Sequence, residues 1–177
     1  MQPIVYDVAV SADGYICAPQ GDVSLFPHEG DVVADYLARL ESYAVALMGR
    51  GTYAFGLAQG LPPGANPYPH LRSIVLSSSL EIPEGDVELW READTGAIRA
   101  LAREAPGPVY LCGGGHLAGW MMRAGLIDVL RLKRAPVLCG GGVPLFEGGV
   151  PKSAPALTEE RCYEGGVVYQ EFDLRAA

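Results

Sequence analysis

The chain has 177 residues, 49% of them hydrophobic, enough to bury one sheet-centred core and too little for two. Its formal net charge of -8 at pH 7 leaves no overall basic field for nucleic acid or an anionic membrane surface, so any bound anion must be gripped locally. The opening MQPIVYDVAV has neither a basic run ahead of an apolar core nor a cleavage pattern, and no apolar run reaches membrane-spanning length, so the expected address is the cytoplasm.

Cys17, Cys112, Cys139 and Cys162 stand singly, which supports neither a zinc knuckle nor a redox pair and predicts free thiols. His28, His70 and His116 are too scattered to propose a metal site.

Ile4 to Val10 reads as a strand, and the polar SADGY turns the chain out of the sheet. Residues 21–30 read as irregular. Asp31 is the expected N-cap of a helix reaching about Ser42, with Val33, Tyr36, Leu37 and Leu40 on one face. AVALMG is a buried strand, followed by a tight turn and short helix in GRGTYAFG, then by the proline-rich loop LPPGANPYPH. Ser73 to Ser77 and Val87 to Trp90 read as strands, and Thr95 to Ala105 as a helix with Thr95 its candidate cap. PVYLC is a strand running directly into the helix of GGGHLAGWMMRAG, where Trp120, Met121 and Met122 fall at core-like spacing. IDVLRLKRAPVL alternates like a strand, GGGVPLF is a second glycine loop, and RCYEGGVVYQEFDL reads as a hairpin. The sum is a single α/β domain over residues 1–177, a mostly parallel mixed sheet with an antiparallel C-terminal edge hairpin, flanked by helices.

Three segments carry anion-binding chemistry. The strand, glycine turn and helix at Gly113, Gly114 and Gly115 lets a pyrophosphate approach the backbone, while the helix start supplies amides and partial positive charge; a tight turn needing positive φ or close packing explains the same glycines. Gly-x-Gly-x-x-Gly is absent, so this is not the Rossmann fingerprint. Gly49, Arg50 and Thr52 close a buried strand with a guanidinium and a hydroxyl suited to phosphate oxygens, and Ser77 and Ser78 end another strand. Each has a bland alternative, a surface arginine or a polar loop. All three stand at strand ends of one sheet edge, where open α/β sheets bind ligands.

In order and content, VAVSADGYI, LMGRGTY, IVLSSSL and VYLCGGGHLAG resemble the dihydrofolate-reductase-like superfamily across nearly the whole chain. The resemblance implies an NADPH site in which Ala9 and Ile16 bracket the nicotinamide carboxamide, Arg50 and Thr52 meet the adenosine-side phosphates, and Ser77 and Ser78 join them at the 2′-phosphate. Gly113 to Gly115, with the amides of His116 and Leu117, would hold the pyrophosphate. An arginine near the ribose in place of an acid favours NADPH over NADH.

Two departures separate the chain from folate reductases. Where that family carries a pterin-binding carboxylate on the first helix, this chain has Val33, with Asp31 read as a cap or a displaced substrate ligand and Asp35 as a solvated residue. GLIDVLRLKRAPVLCGGGVPLF also resembles the reductase domain of riboflavin biosynthesis, which implies a substrate pocket near Asp13, Gly141 and Gly142; Asp13 is equally read as the turn-former of Asp-Gly. The implied activity is hydride transfer to a C=N or C=O carbon, on 5-amino-6-(5-phosphoribosylamino)uracil if the pathway is riboflavin synthesis. No deaminase zinc signature accompanies it. The rivals are a folate or pterin reductase and a nucleotide-binding module without turnover. The resemblance, with the exposed-looking hairpin and the apolar IDVLRL strand, also predicts a homodimer.

Overall fold

The computed structural model describes residues 1–175. Ten strands and four α-helices follow one another as β1 (Ile4–Ser11), β2 (Tyr15–Cys17), α1 (Asp31–Leu40), β3 (Val45–Gly49), α2 (Arg50–Ala58), β4 (Arg72–Leu76), β5 (Glu88–Trp90), α3 (Thr95–Glu104), β6 (Val109–Gly113), α4 (Gly115–Arg123), β7 (Val129–Ala135), β8 (Val143–Pro144), β9 (Ala156–Cys162) and β10 (Val168–Asp173). Eight strands form one sheet in the order β5-β4-β3-β6-β1-β7-β10-β9, parallel from β5 to β7 and antiparallel across β10 and β9. The expected mixed sheet with an antiparallel C-terminal hairpin is the one observed. β2 and β8, not anticipated as strands, pair into a separate two-stranded ribbon that ties the loop after β1 to the second glycine loop.

Side chains alternate along each central strand, so the sheet buries two faces. On one, Ile4, Tyr6 and Val10 of β1 meet Ile98 and Leu101 of α3 and Met121 of α4. On the other, Val5, Met48 and Val75 meet Leu40, Tyr43 and Tyr53 from α1, the turn after it and α2. β6 reaches the sheet late in the chain and inserts between β3 and β1, so strand order reverses there, the kind of switch point at which such sheets open a crevice.

Several local expectations are corrected. Gly30, not Asp31, is the N-cap residue of α1; Asp31 begins the helix, with no side-chain cap bond at that end. The helix stops at Leu40, and its buried residues are Val32 and Leu40, while Leu37, placed on the apolar face by spacing, is 53% exposed. Asp94, not Thr95, caps α3, its carboxylate accepting the Ala97 amide at 2.8 Å. The IDVLRL strand, β7, lies between β1 and β10, and β9 of the C-terminal hairpin is the exposed edge, as the sequence led one to expect of the hairpin.

Candidate active site

The C-terminal ends of β1, β3, β4 and β6 open onto a cavity of about 890 Å³, large for a single small metabolite and ample for a dinucleotide with a substrate beside it. Val8 and Ala9 of β1 and Ile16 of β2 form one wall, Gly49 to Thr52 and Phe55 a second, Leu76 to Ser79 a third, and Cys112 and Gly114 to Leu117 the floor. Among the residues named for the cofactor, Gly113 alone is absent from the lining; it is buried behind Gly114.

Two helices start at this cavity, and neither has a side-chain cap bond. α2 begins at Arg50 after Gly49, α4 at Gly115 after Gly114. Their first-turn amides have no partner within the helix, so two positive helix ends meet across one opening. The α4 end is held open by close packing. Gly114 has φ of 85°, and a Cβ there would lie 3.2 Å from Thr52 Oγ1. A Cβ on Gly115 would stand 2.2 Å from the carbonyl oxygen of Pro144, an impossible approach, so the loop of β8 lies against bare backbone. The Thr52 hydroxyl donates to the Gly113 carbonyl at 2.9 Å, joining the two helix starts.

At the far end, the Ser77 hydroxyl accepts the amide of Leu80 at 2.9 Å and folds the serine loop, while Ser78 is exposed. Arg91 donates to the Leu80 carbonyl at 2.5 Å and lines the cavity beside Trp90. The sequence reading passed over Arg91, although an arginine ending a strand was the very signal that singled out Arg50. Trp120, read as a core residue, packs against the core while half-buried and also lines the cavity from α4; Met121 beside it is fully buried. Glu147 was also missed, lining the cavity 3.8 Å from His116.

The residues proposed for substrate are absent from that lining. The Asp13 carboxylate accepts the Ser11 hydroxyl at 2.5 Å and the amides of Cys139 and Gly140 at 3.0 and 2.8 Å, bonds that hold it below the usual carboxylate range. It thus pins the loop after β1 to the second glycine loop. Gly142 lets that loop cross the chain at Cys17, where an added Cβ would meet the Cys17 carbonyl oxygen at 2.1 Å, and Gly141 lies against Pro19. Asp31 borders a second groove of about 430 Å³ with Leu25, Pro136 and Tyr163.

Beneath Ala9, on the α1 face of the sheet, lies a charged cluster that no motif announced. Asp7, whose side chain is wholly buried, takes the ammonium of Lys133, Arg39 Nε at 3.1 Å and the Tyr43 hydroxyl at 3.2 Å. The Tyr36 ring stacks on Lys133, its centroid 3.9 Å from Nζ. Burial opposes ionisation of Asp7, yet Lys133 and Arg39 outweigh it and hold the carboxyl below its ordinary range; burial pushes Lys133 down, against the pull of Asp7. Arg131 bridges outward to Glu171 at 2.7 Å.

Known proteins share this architecture. The family described as "RibD C-terminal domain" matches residues 2–170. YwjB of Bacillus subtilis (strain 168), an uncharacterized protein, is 27% identical over 141 residues, 78% of this chain and 79% of YwjB. A putative riboflavin biosynthesis protein from Shewanella sp. PV-4 superposes with a TM-score of 0.81 at 27% identity, covering 98% of both chains. At 14% identity, a pyrimidine reductase-like protein from Corynebacterium diphtheriae shares the fold with a TM-score of 0.70 over 97% of this chain and 91% of its own. The diaminohydroxyphosphoribosylaminopyrimidine deaminase/5-amino-6-(5-phosphoribosylamino)uracil reductase of Thermotoga maritima shares it at 16% identity and a TM-score of 0.67, over 97% of this chain and 56% of that longer one. The order of strands, the glycine turn into α4 and the match along almost all of the chain agree: it belongs to the RibD C-terminal domain family, a reductase-type domain of dihydrofolate-reductase-like fold.

Proposed function

We propose that this chain is an NADPH-dependent reductase that passes hydride to a C=N or C=O carbon of a small polar substrate, 5-amino-6-(5-phosphoribosylamino)uracil or a close analogue. The observation that carries the reading is the convergence of two helix starts without side-chain caps, α2 and α4, on a cavity that also gathers Arg50, Arg91 and the serine loop. Those groups fit a dinucleotide: amides and helix ends suit a pyrophosphate, and guanidinium groups beside serine hydroxyls suit a 2′-phosphate. Bound there, the cofactor supplies the hydride.

The chain's own residues bind and orient. Gly114 and Gly115, with the amides of His116 and Leu117, receive the pyrophosphate. Arg50, Ser77 and Ser78 take the adenosine side, Thr52 keeps the two helix starts in register, and Ala9 and Ile16 flank the nicotinamide. Asp13, Gly141 and Gly142 shape the loops on the substrate side. Positioning of the two reacting carbons then supplies much of the rate.

A folate or pterin reductase is less well supported. Asp35 on α1 is engaged by Arg161 at 2.6 Å and Tyr163 at 2.7 Å, and Asp31 faces the second groove. The same reading makes the protein a cytoplasmic homodimer, consistent with four free cysteines and with β9, exposed along its whole length, as an edge for a second copy. No helix among the described residues is long and apolar enough to cross a membrane. A monomer by light scattering removes the dimer.

Fluorescence titration with NADPH and NADH tests the cofactor assignment. Tight NADPH binding, weaker for NADH and weakened by Arg50→Ala by roughly 1.5 to 3 kcal/mol for a lost charge-assisted contact, is the expected result. Absence of binding by either nucleotide removes the reductase reading, and NADPH binding without turnover on any acceptor leaves a nucleotide-binding module.

A further inference from the structure

We propose that Lys133, held by Asp7, is the acid that protonates the hydride acceptor, an assignment that rests on the reductase reading above. In the parallel ladder of β1 and β7, Lys133 stands directly opposite Ala9, and such partners share a face of the sheet. Its side chain therefore lies on the same face of the sheet as Ala9, a residue that lines the cavity. Cys112, on the strand flanking β1 on its other side, lines the same cavity and lies within electrostatic reach of the ammonium.

Stability alone does not call for this pair. Among the described residues Lys133 is the only cation that is over nine-tenths buried, and it is 9% exposed against 1% for Asp7. Desolvating such a pair opposes folding, and apolar residues of the same volume often pack as well or better. A buried charge paired in register with a cavity-lining residue is thus a signal of chemistry rather than of stability.

The groups facing Lys133 suit it to release a proton. Asp7 approaches from β1, Tyr36 and Arg39 from α1, Cys112 from β6, and Tyr169 stands opposite on β10. Burial lowers the ammonium's proton affinity and Arg39 lowers it further, while Asp7 keeps enough of it for the charged form to exist.

The step balances. The acceptor carbon takes a hydride from nicotinamide C4, and the π pair of its C=N or C=O bond moves onto nitrogen or oxygen. That atom takes a proton from Lys133, whose N–H electrons remain on the neutral amine. The acceptor gains two hydrogens, the dihydronicotinamide is oxidised by two electrons, and water restores the lysine proton.

The test uses the full chain, Lys133→Met, and the double variant Asp7→Asn with Lys133→Met, which removes both buried charges together; circular dichroism and melting identify the folded variants. The first readout is the Lys133 Cε resonance in lysine-labelled protein, titrated with pH with and without NADP⁺. A neighbouring cationic nicotinamide is expected to move its midpoint to lower pH, and a midpoint unmoved by saturating NADP⁺ overturns the assignment. The second is single-turnover oxidation of NADPH by 5-amino-6-(5-phosphoribosylamino)uracil. The folded double variant is expected to bind NADPH as the wild type does and to lose roughly 10²- to 10⁴-fold in rate, the span of a general acid, together with the wild type's decline in rate with rising pH. A rate within threefold of wild type with an unchanged pH profile overturns the assignment while the reductase reading stands. Failure of the wild type to bind NADPH overturns both.

Discussion

The hydroxyl of Thr52, in the first turn of α2, donates at 2.9 Å to the carbonyl of Gly113, the last residue of β6, 61 positions away. One side-chain bond thus sets the spacing of the two helix starts that face the cavity. Thr52→Val removes the bond and keeps the shape. The expected cost is about 1 kcal/mol of stability with a several-fold loss of NADPH affinity, while Thr52→Ser retains most of both. Denaturant melts and a nucleotide titration on the three proteins check it.

Gly115→Ala separates the two roles of the glycine turn. The new methyl meets the Pro144 carbonyl at 2.2 Å and Val143 Cγ1 at 3.0 Å, so α4 and the β8 loop must move apart. The expected loss is about 1 to 3 kcal/mol, as for other overpacked sites, with weaker nucleotide binding because the helix start is displaced. A melt unchanged from wild type contradicts the packing described.

The chain has two tryptophans, Trp90 and Trp120, and both line the cavity. NADPH binding should therefore quench emission in the wild type and in each of Trp90→Phe and Trp120→Phe, which leave a single reporter. A reporter whose emission ignores saturating NADPH lies away from the nucleotide.

Acid should unfold the protein through the α1 face. Burial opposes ionisation of Asp7 and Glu171, but Lys133 and Arg39 beside the first and Arg131 beside the second hold their folded-state pKa values below the ordinary 3.8 and 4.5. A depressed folded value contributes stability that is complete above the ordinary one and lost as pH falls through the folded one. The melting temperature is expected to stay level from neutral pH to about 4.5 and to fall below it, with a shallower fall in Glu171→Gln.

The sheet was legible because its central strands are short apolar runs punctuated by glycine, and the glycine turn into α4 was legible because strand, glycines and helix adjoin in sequence. The charged cluster was not. Asp7 and Lys133 are 126 positions apart, and Lys133 sits in an alternating strand whose pattern says only that one face is polar. Trp120 does pack against the core, but its second role at the cavity was not legible, because helical spacing does not say what covers the rest of a helix face. Asp31 looked like a cap because its residue type favours one, yet Gly30 adopts the capping geometry and Asp31 begins the helix. The β2–β8 ribbon escaped notice because strands of three and two residues carry no period.

The insertion of β6 between β3 and β1 dictates when the protein can become itself during synthesis. Strands β1 and β3, made early, have no direct hydrogen bonds to each other; each waits for residues Val109–Gly113 to arrive between them. A nascent chain that stops short of Gly113 holds β3, β4 and β5 as one fragment and β1 as another, each with an unpaired edge exposed to other chains. Non-local closure of this kind is slow and open to aggregation. Production of this protein, and of variants that weaken β6, is expected to depend on how soon Val109–Gly113 leave the ribosome.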